Sequence, residues 1–190
     1  MPAVPATPET PSIPEDLTSS EEETSTSRKT AWKAATAAAV IAIAGRTALQ
    51  GAPSIETVTP LAVASGYYLG WRKGLYTGAA GFFISNFLVY GGQGPWTVFQ
   101  VLGVGLAGII GASTSKIVRN KFSFFSAVIA GTIGYEIVIN LGSIIYTPWA
   151  FGSPLAYLGA AVPFALIHIA SSLGFGGVVY GFDDSLERIR

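Results

Sequence analysis

The chain has 190 residues, of which half are hydrophobic and 12% are charged, and its formal net charge at pH 7 is zero. Soluble domains carry about a quarter charged residues, so this chain has too few to cover a surface that faces water. Cysteine is absent and histidine occurs once, which excludes a disulfide framework and the usual multi-histidine zinc motifs. The zero net charge and the lack of a basic stripe exclude nucleic acid as a partner class. We therefore expect a protein that has the lipid bilayer as its solvent.

Residues 1–30 differ from the rest of the chain in composition. Proline, serine, threonine and glutamate dominate this segment, and six of the eleven acidic residues of the chain fall within it. Such a segment buries too little apolar surface to offset the entropy of ordering it, so a disordered cytoplasmic tail is expected. Its composition does not match that of a signal peptide.

The apolar body predicts an all-α fold, an integral membrane bundle of six transmembrane helices over residues 31–182. A helix needs about 20 apolar residues to cross the hydrocarbon core of a bilayer. The apolar runs place the helices at about 32–50, 56–71, 74–91, 97–117, 122–146 and 155–180. The second and third are short, and they are joined by Trp71, Arg72 and Lys73. A short cytoplasmic tail over residues 183–190 completes the chain.

The basic residues predict how this bundle is oriented. If six helices cross alternately, ten of the eleven basic residues fall on one side: Arg28, Lys29, Lys33, Arg72, Lys73, Lys116, Arg119, Lys121, Arg188 and Arg190. The three opposite loops, near 51–55, 92–96 and 147–154, contain no lysine or arginine. Interfacial aromatic residues lie in or beside them: Trp96, Tyr146, Trp149 and Phe151. The positive-inside rule then predicts a multi-pass plasma-membrane protein with both termini in the cytoplasm.

Polar residues inside the predicted spans indicate a binding site, because such residues are costly in lipid. They are Arg46, Gln50, Glu56, Asn86, Gln100, Glu136, Asn140 and His168. Alternate crossing brings most of them into the outer half of the bundle, which predicts a polar cavity open to the exterior. The predicted substrate-binding residues are Arg46, Gln50, Asn86, Trp96, Gln100, Glu136, Asn140 and His168.

Two of these residues have an alternative interpretation, in which Arg46 and Glu136 form an ion pair between helices 1 and 5. His168 is similarly open to a role in packing alone. The sequence contains no His-Glu-x-x-His motif and no phosphate-binding loop, so neither enzymatic activity nor ATP hydrolysis by this chain is expected. No metal or cofactor is expected.

Small residues recur at four-residue spacing, which favours close approach of helices in lipid. We expect internal packing for the glycines of helices 2, 3 and 4: Gly66, Gly70, Gly74, Gly78, Gly103, Gly105, Gly108 and Gly111. For the alanines of helix 1, two roles are open, internal packing or docking of an external partner helix. These alanines are Ala34, Ala35, Ala38, Ala39 and Ala42.

The stretch over residues 85–100, SNFLVYGGQGPWTVFQ, precedes a helix that carries Gly-x-Gly-x-x-Gly from Gly103 to Gly108. This combination resembles the substrate-binding S components of energy-coupling factor (ECF) transporters, over about residues 32–181. The resemblance implies six membrane helices and the uptake of a vitamin or similar micronutrient, bound in an outward cavity. It also implies association with a transmembrane coupling subunit and two ATPases.

The resemblance carries over to two segments. The small-residue motif of helix 1, which contacts the coupling subunit in the family, would correspond to Ala34 and Ala38 or to Ala35 and Ala39. The segment from Gly51 to Ile55 is similar to the gating loop of the family.

Two other function classes remain open. A self-sufficient secondary transporter or channel would use Arg46, Glu136 and His168 as an ion or proton relay, and a gradient alone would then drive uptake. A membrane enzyme or scaffold would be favoured if the cavity were absent and the polar residues faced separate helices.

Overall fold

The computed structural model of the protein describes residues 15–147 and 152–188. Within them the chain forms α-helices joined by turns and short loops. The helices are α1 (Glu15–Ala48), α2 (Val58–Leu69), α3 (Trp71–Ser85), α4 (Pro95–Ile117), α5 (Lys121–Tyr146), α6 (Pro154–Tyr180) and α7 (Asp183–Glu187). The prediction of an all-α fold is therefore confirmed for the described residues. Two of the predicted interfacial aromatics, Trp149 and Phe151, lie outside them, as do residues 1–14.

The bounds of α4, α5 and α6 lie within two residues of the prediction, and local chemistry explains where each helix begins. α4 opens with Pro95, whose missing N–H has no intrahelical partner at that position. The side chain of Asn120 accepts a hydrogen bond from the backbone N–H of Ser123 (2.8 Å) at the start of α5. Ser153 accepts one from the backbone N–H of Ala156 (3.2 Å) at the start of α6. Such caps pair the free N–H groups of the first helical turn.

The first three helices differ from their predicted bounds. α1 begins at Glu15 and so includes residues 15–30, which were expected to be disordered. The turn between α2 and α3 falls on Gly70 alone, whose φ of 92° favours glycine, so Trp71 already begins α3. α3 ends at Ser85, and residues 86–91, predicted as helix, form turns instead.

Among the described residues, three helices are long and apolar enough to cross a membrane: α4, α5 and α6. The 12 residues of α2 and the 15 residues of α3 span only about 18 and about 22 Å, whereas the hydrocarbon core is about 30 Å thick. The structure therefore supports a membrane-spanning role for three of the six predicted helices and does not support six spanning helices among the described residues.

The outside of the bundle is apolar, and several interior positions are polar. Large apolar side chains are exposed on α5 and α6, including Ile137, Leu141, Val162, Phe164 and Leu166. In contrast, Thr77, Thr132 and Ser172 are fully buried. Water would penalise this arrangement, whereas lipid accommodates apolar side chains on the outside. The fold therefore fits a bundle that lipid surrounds.

α2 lies at the centre of the bundle and packs against α1, α3, α4, α5 and α6. α1 also packs against α3, and α6 also packs against α5. In the described part of the chain, α1 and α6 lie beside α2 without packing closely against each other. Two openings follow from this arrangement, a polar cavity at one end of the bundle and an apolar groove at the other.

Glycines allow α2, α3 and α4 to approach closely, as predicted. A Cβ atom on Gly108 would lie 2.6 Å from the carbonyl carbon of Gly74, and one on Gly66 would collide with the carbonyl oxygen of Gly108. Each glycine therefore lies against the backbone of another helix. Gly70 has a different role, because it forms the turn between α2 and α3.

The alanines of α1 fall into two groups. Ala35, Ala39 and Ala42 are buried inside the bundle, so they have the internal packing role that was one of their two expected alternatives. Ala34 and Ala38 instead line an apolar groove of about 370 Å³ between α1, α2 and the end of α6. Only this second group is open to a partner outside the bundle.

Candidate functional site

A polar cavity of about 300 Å³ lies at the end of the bundle where α1 and α3 end and α4 begins. Five of the eight predicted substrate-binding residues line it: Arg46, Gln50, Gln100, Glu136 and His168. The prediction that the intramembrane polar residues converge on one cavity is therefore confirmed for these five. Their role in binding a ligand stays a prediction.

At the base of the cavity, one imidazole lies between two carboxylates. The Nδ1 atom of His168 is 2.6 Å from Oε1 of Glu136, and its Nε2 atom is 2.8 Å from Oε1 of Glu56. Only 2% of His168 is exposed. A neutral imidazole has one N–H donor and an ionised carboxylate has none, so both contacts are hydrogen bonds only if the three groups hold an additional proton. We call these three residues the carboxylate–imidazole cluster.

The start of α2 fixes Glu56, which is not among the predicted substrate-binding residues. Its carboxylate accepts hydrogen bonds from the backbone N–H groups of Val58 and Thr59, the latter at 3.0 Å. These N–H groups have no intrahelical partner, and the helix dipole favours a negative charge there. The position of Glu56 just before an apolar run was the sequence signal for this cap.

Asn140 positions Glu136 from outside the cavity. Its Nδ2 atom donates to Oε2 of Glu136 (3.0 Å) and to the backbone oxygen of the same residue (2.7 Å). Asn140 itself faces a second opening between α5 and α6 and does not line the polar cavity. Asn140 therefore contacts Glu136 and not the polar cavity.

Neutral side chains at the end of α3 and directly after it hold Arg46. Its Nη1 atom donates to Oγ of Ser85 (2.6 Å) and to Oδ1 of Asn86 (2.8 Å). The Nδ2 atom of Asn86 donates in turn to Oγ1 of Thr97 (2.9 Å) and to Oε1 of Gln100 (2.8 Å). Asn86 is 1% exposed, so the amide is fixed and its oxygen is directed at the guanidinium.

The alternative prediction of an ion pair between Arg46 and Glu136 is wrong. Every salt bridge among the described side chains that line the cavity involves His168, which contacts both Glu56 and Glu136. The physical reason is that the two carboxylates contact the ring nitrogens of His168, while the neutral oxygens of Ser85 and Asn86 accept hydrogen bonds from one edge of the guanidinium.

Two aromatic residues, Phe82 and Tyr135, lie between Arg46 and His168. Neither is among the predicted site residues. The guanidinium of Arg46 lies 4.8 Å from the ring centre of Phe82. Phe82 stacks on Tyr135 with centres 5.3 Å apart and planes 6° apart, and Tyr135 meets the ring of His168 edge to face at 5.3 Å. In the sequence, Phe82 and Tyr135 look like ordinary apolar-face residues, and only the fold brings them together. We call Phe82 and Tyr135 the aromatic wall.

The loop over residues 49–57 lies at the mouth of the cavity. Ala52, Pro53 and Ser54 line the opening, and the hydroxyl of Ser171 on α6 donates to the backbone oxygen of Ser54 (3.2 Å). The loop is therefore attached to both sides of the cleft between α1 and α6. Trp96 is not part of the cavity, because its indole N–H donates to the backbone oxygen of Gly92 (3.2 Å) in the turn before α4.

The arrangement suits reversible binding of a small polar molecule. Fixed charges lie on opposite walls, an aromatic surface runs between them, and the volume falls at the lower end of the range for ligand pockets. Among the side chains that the structure describes, no group of three or more histidine, cysteine or acidic residues is arranged to hold a metal ion. Comparisons of the chain with protein-family models, curated proteins and solved structures found no match.

Proposed function

We propose that the chain is the substrate-binding subunit of an ECF-type transporter, which binds a vitamin or related micronutrient in the polar cavity. One observation carries the proposal: fixed polar groups from α1, α4, α5 and α6 converge on a single cavity beneath the loop over residues 49–57. A transmembrane coupling subunit and two ATPases would then drive release of the ligand to the cytoplasm.

The proposed topology has six membrane crossings, with both termini in the cytoplasm and the cavity on the outer side. α2 and α3 are too short to cross alone, so the loop over residues 49–57 and the turns over residues 86–94 would complete these crossings. Irregular backbone is tolerated at membrane depth where it is buried in protein or lines a cavity. The segment over residues 49–56 lines the cavity, which supports this role.

The apolar groove at the other end is the proposed contact with the coupling subunit. Ala34 and Ala38 line it together with Val178, Phe182 and Leu186 near the end of α6. Small side chains on α1 would let a partner helix approach closely, and the apolar lining suits such a helix in lipid.

The proposal predicts that the purified chain retains a small molecule, which a bulky side chain in the cavity would displace. Ile139 lines the cavity, whereas Ile137 on the same helix is 54% exposed on the outside of the bundle. Ile139→Trp is expected to abolish retention, because the indole would occupy ligand volume. Native mass spectrometry of the chain released from detergent measures the retained mass.

Ile137→Trp is the matched control, and it is expected to retain the ligand like the unmodified chain. Thermal unfolding in detergent shows whether each variant is folded. Absence of any retained small molecule from the unmodified chain, or equal retention by both variants, would contradict binding in this cavity.

The carboxylate–imidazole cluster favours a second candidate, a self-sufficient transporter coupled to protons. Its three groups are joined by hydrogen bonds of 2.6 and 2.8 Å, so a proton could pass among them. Glu56, Glu136 and His168 would serve as the relay, whereas Arg46, which was expected to join it, forms no salt bridge with this cluster. Uptake of the retained compound into liposomes that contain only this chain, driven by a pH gradient without ATPases, would support this candidate. Uptake only after addition of the coupling subunit, the ATPases and ATP would support the first.

A further inference from the structure

Arg46 has an unusual charge environment within the cavity. Its guanidinium lines the cavity, yet among the described residues it forms no salt bridge and donates only to the neutral oxygens of Ser85 and Asn86. The two carboxylates that line the cavity, Glu56 and Glu136, are both hydrogen-bonded to His168. Among the residues that the structure describes, no carboxylate therefore lies within salt-bridge distance of the guanidinium.

The guanidinium also has donors left over. An arginine side chain has five N–H donors in a planar fork, and the two hydrogen bonds of Arg46 both come from Nη1. Its Nε and Nη2 atoms have no hydrogen-bond partner among the described residues. Because Asn86 and the ring of Phe82 fix the guanidinium on two sides, these donors are held in place before any ligand arrives. A planar carboxylate fits such a fork through two parallel hydrogen bonds.

The end of the cavity beside His168 favours a hydrogen-bond donor over an anion. The carboxylate–imidazole cluster holds two acidic groups against one imidazole, and Glu136 lines the cavity. An anionic group would be repelled there, whereas an N–H donor would find acceptor oxygens. The aromatic wall lies between the two ends; Phe82 and Tyr135 stack on each other there, and their small exposed fractions, 2% and 7%, give the cavity a narrow apolar surface for the body of a ligand.

We propose that the ligand is a compact planar carboxylate with an N–H donor at its far end. Its carboxylate binds Arg46, its flat body lies along the aromatic wall, and its donor approaches Glu136. This inference rests on the proposed binding function and adds the chemical class of the ligand. A phosphate is the less suitable anion, because Arg46 is the one cationic side chain beside His168 in the described lining and two carboxylates share the same 300 Å³.

Three probes of matched shape test the inference: 4-aminobenzoate, 4-aminobenzamide and 4-aminophenyl phosphate. Their affinities are measured by titration calorimetry with the full chain in detergent. We expect 4-aminobenzoate to bind at least about tenfold more tightly than the other two. Arg46→Gln is expected to weaken binding of the acid about tenfold to one-hundredfold, the range for a charge-assisted hydrogen bond, and to leave binding of the amide unchanged.

Two variants complete the test. Lys116→Gln removes an exposed cation on α4 and is expected to change none of the affinities. Arg46→Lys keeps the charge without the planar fork, so it is expected to bind the acid more weakly than the unmodified chain but still in preference to the amide. This variant decides the result if Arg46→Gln fails to fold.

The inference is overturned if the acid and the amide bind equally, if the phosphate binds best, or if none of the three probes binds. Its failure can be distinguished from failure of the proposed function. A neutral or cationic compound retained by the purified chain and displaced by Ile139→Trp would exclude the carboxylate and leave the binding function intact.

Discussion

Replacement of His168 by alanine is expected to lower the free energy of unfolding by about 3–5 kcal/mol, the range for breaking a buried ion pair. The imidazole is 2% exposed and contacts one carboxylate on each side. Its removal would leave the carboxylates of Glu56 and Glu136 close together without their shared partner, and only 12% and 18% of these side chains are exposed to water. Unfolding by a denaturing detergent in mixed micelles, followed by circular dichroism, measures the change.

The double variant His168→Ala with Glu136→Gln separates charge repulsion from simple loss of packing. Removal of one of the two negative charges is expected to restore part of the lost stability, so the two substitutions would not be additive. A loss below about 1 kcal/mol in the single variant, or strict additivity in the double variant, would show that the cluster does not bear on stability as described.

The glycine contact between α3 and α4 is expected to be equally sensitive to substitution. Gly108→Ala would place a Cβ atom 2.6 Å from the carbonyl carbon of Gly74, and a backbone atom cannot move aside as a flexible side chain can. Overpacking typically costs about 1–3 kcal/mol and occasionally more, and we expect a loss at or above the upper end of that range. The same mixed-micelle unfolding measurement applies.

Gly105→Ala on the same helix is the matched control. Gly105 is also buried, but a Cβ atom there would meet only side-chain atoms of Leu75, 3.8 Å away or farther. Ordinary van der Waals contact and the higher helix propensity of alanine predict unchanged or slightly increased stability. Equal losses from the two substitutions would contradict the close approach of α3 and α4.

The sequence was sufficient to predict five of the polar residues that line the cavity, but not Glu56. Arg46, Gln100, Glu136 and His168 are rare polar side chains in apolar runs, so their depth along alternating helices could be estimated from residue counts. The helices with clear starting signals, α4 to α6, were also placed within two residues. Both inferences depend on local sequence and on helix direction.

The pairing of these groups could not be predicted in the same way. Whether Glu136 meets Arg46 or His168 depends on how α1, α5 and α6 are rotated about their axes, and in the structure Glu136 contacts His168. Phe82 and Tyr135 were missed because an aromatic residue that lines a cavity has the same sequence pattern as one in the apolar core. The turn at Gly70 was placed two residues late, because the charges of Arg72 and Lys73 indicated a loop where the structure has a helix.

The central claim, an outward-facing binding cavity, is tested most directly by chemical labelling of a single cysteine placed in the cavity. The chain has no cysteine of its own, and Ala52 lines the mouth of the cavity. In intact cells, Ala52→Cys is expected to react with a membrane-impermeant maleimide, and the compound that the purified chain retains is expected to slow the reaction. Ser185→Cys in α7 is the control, expected to react only after permeabilisation. Labelling of Ala52→Cys only after permeabilisation, or at a rate that the compound does not change, would contradict an outward-facing binding cavity.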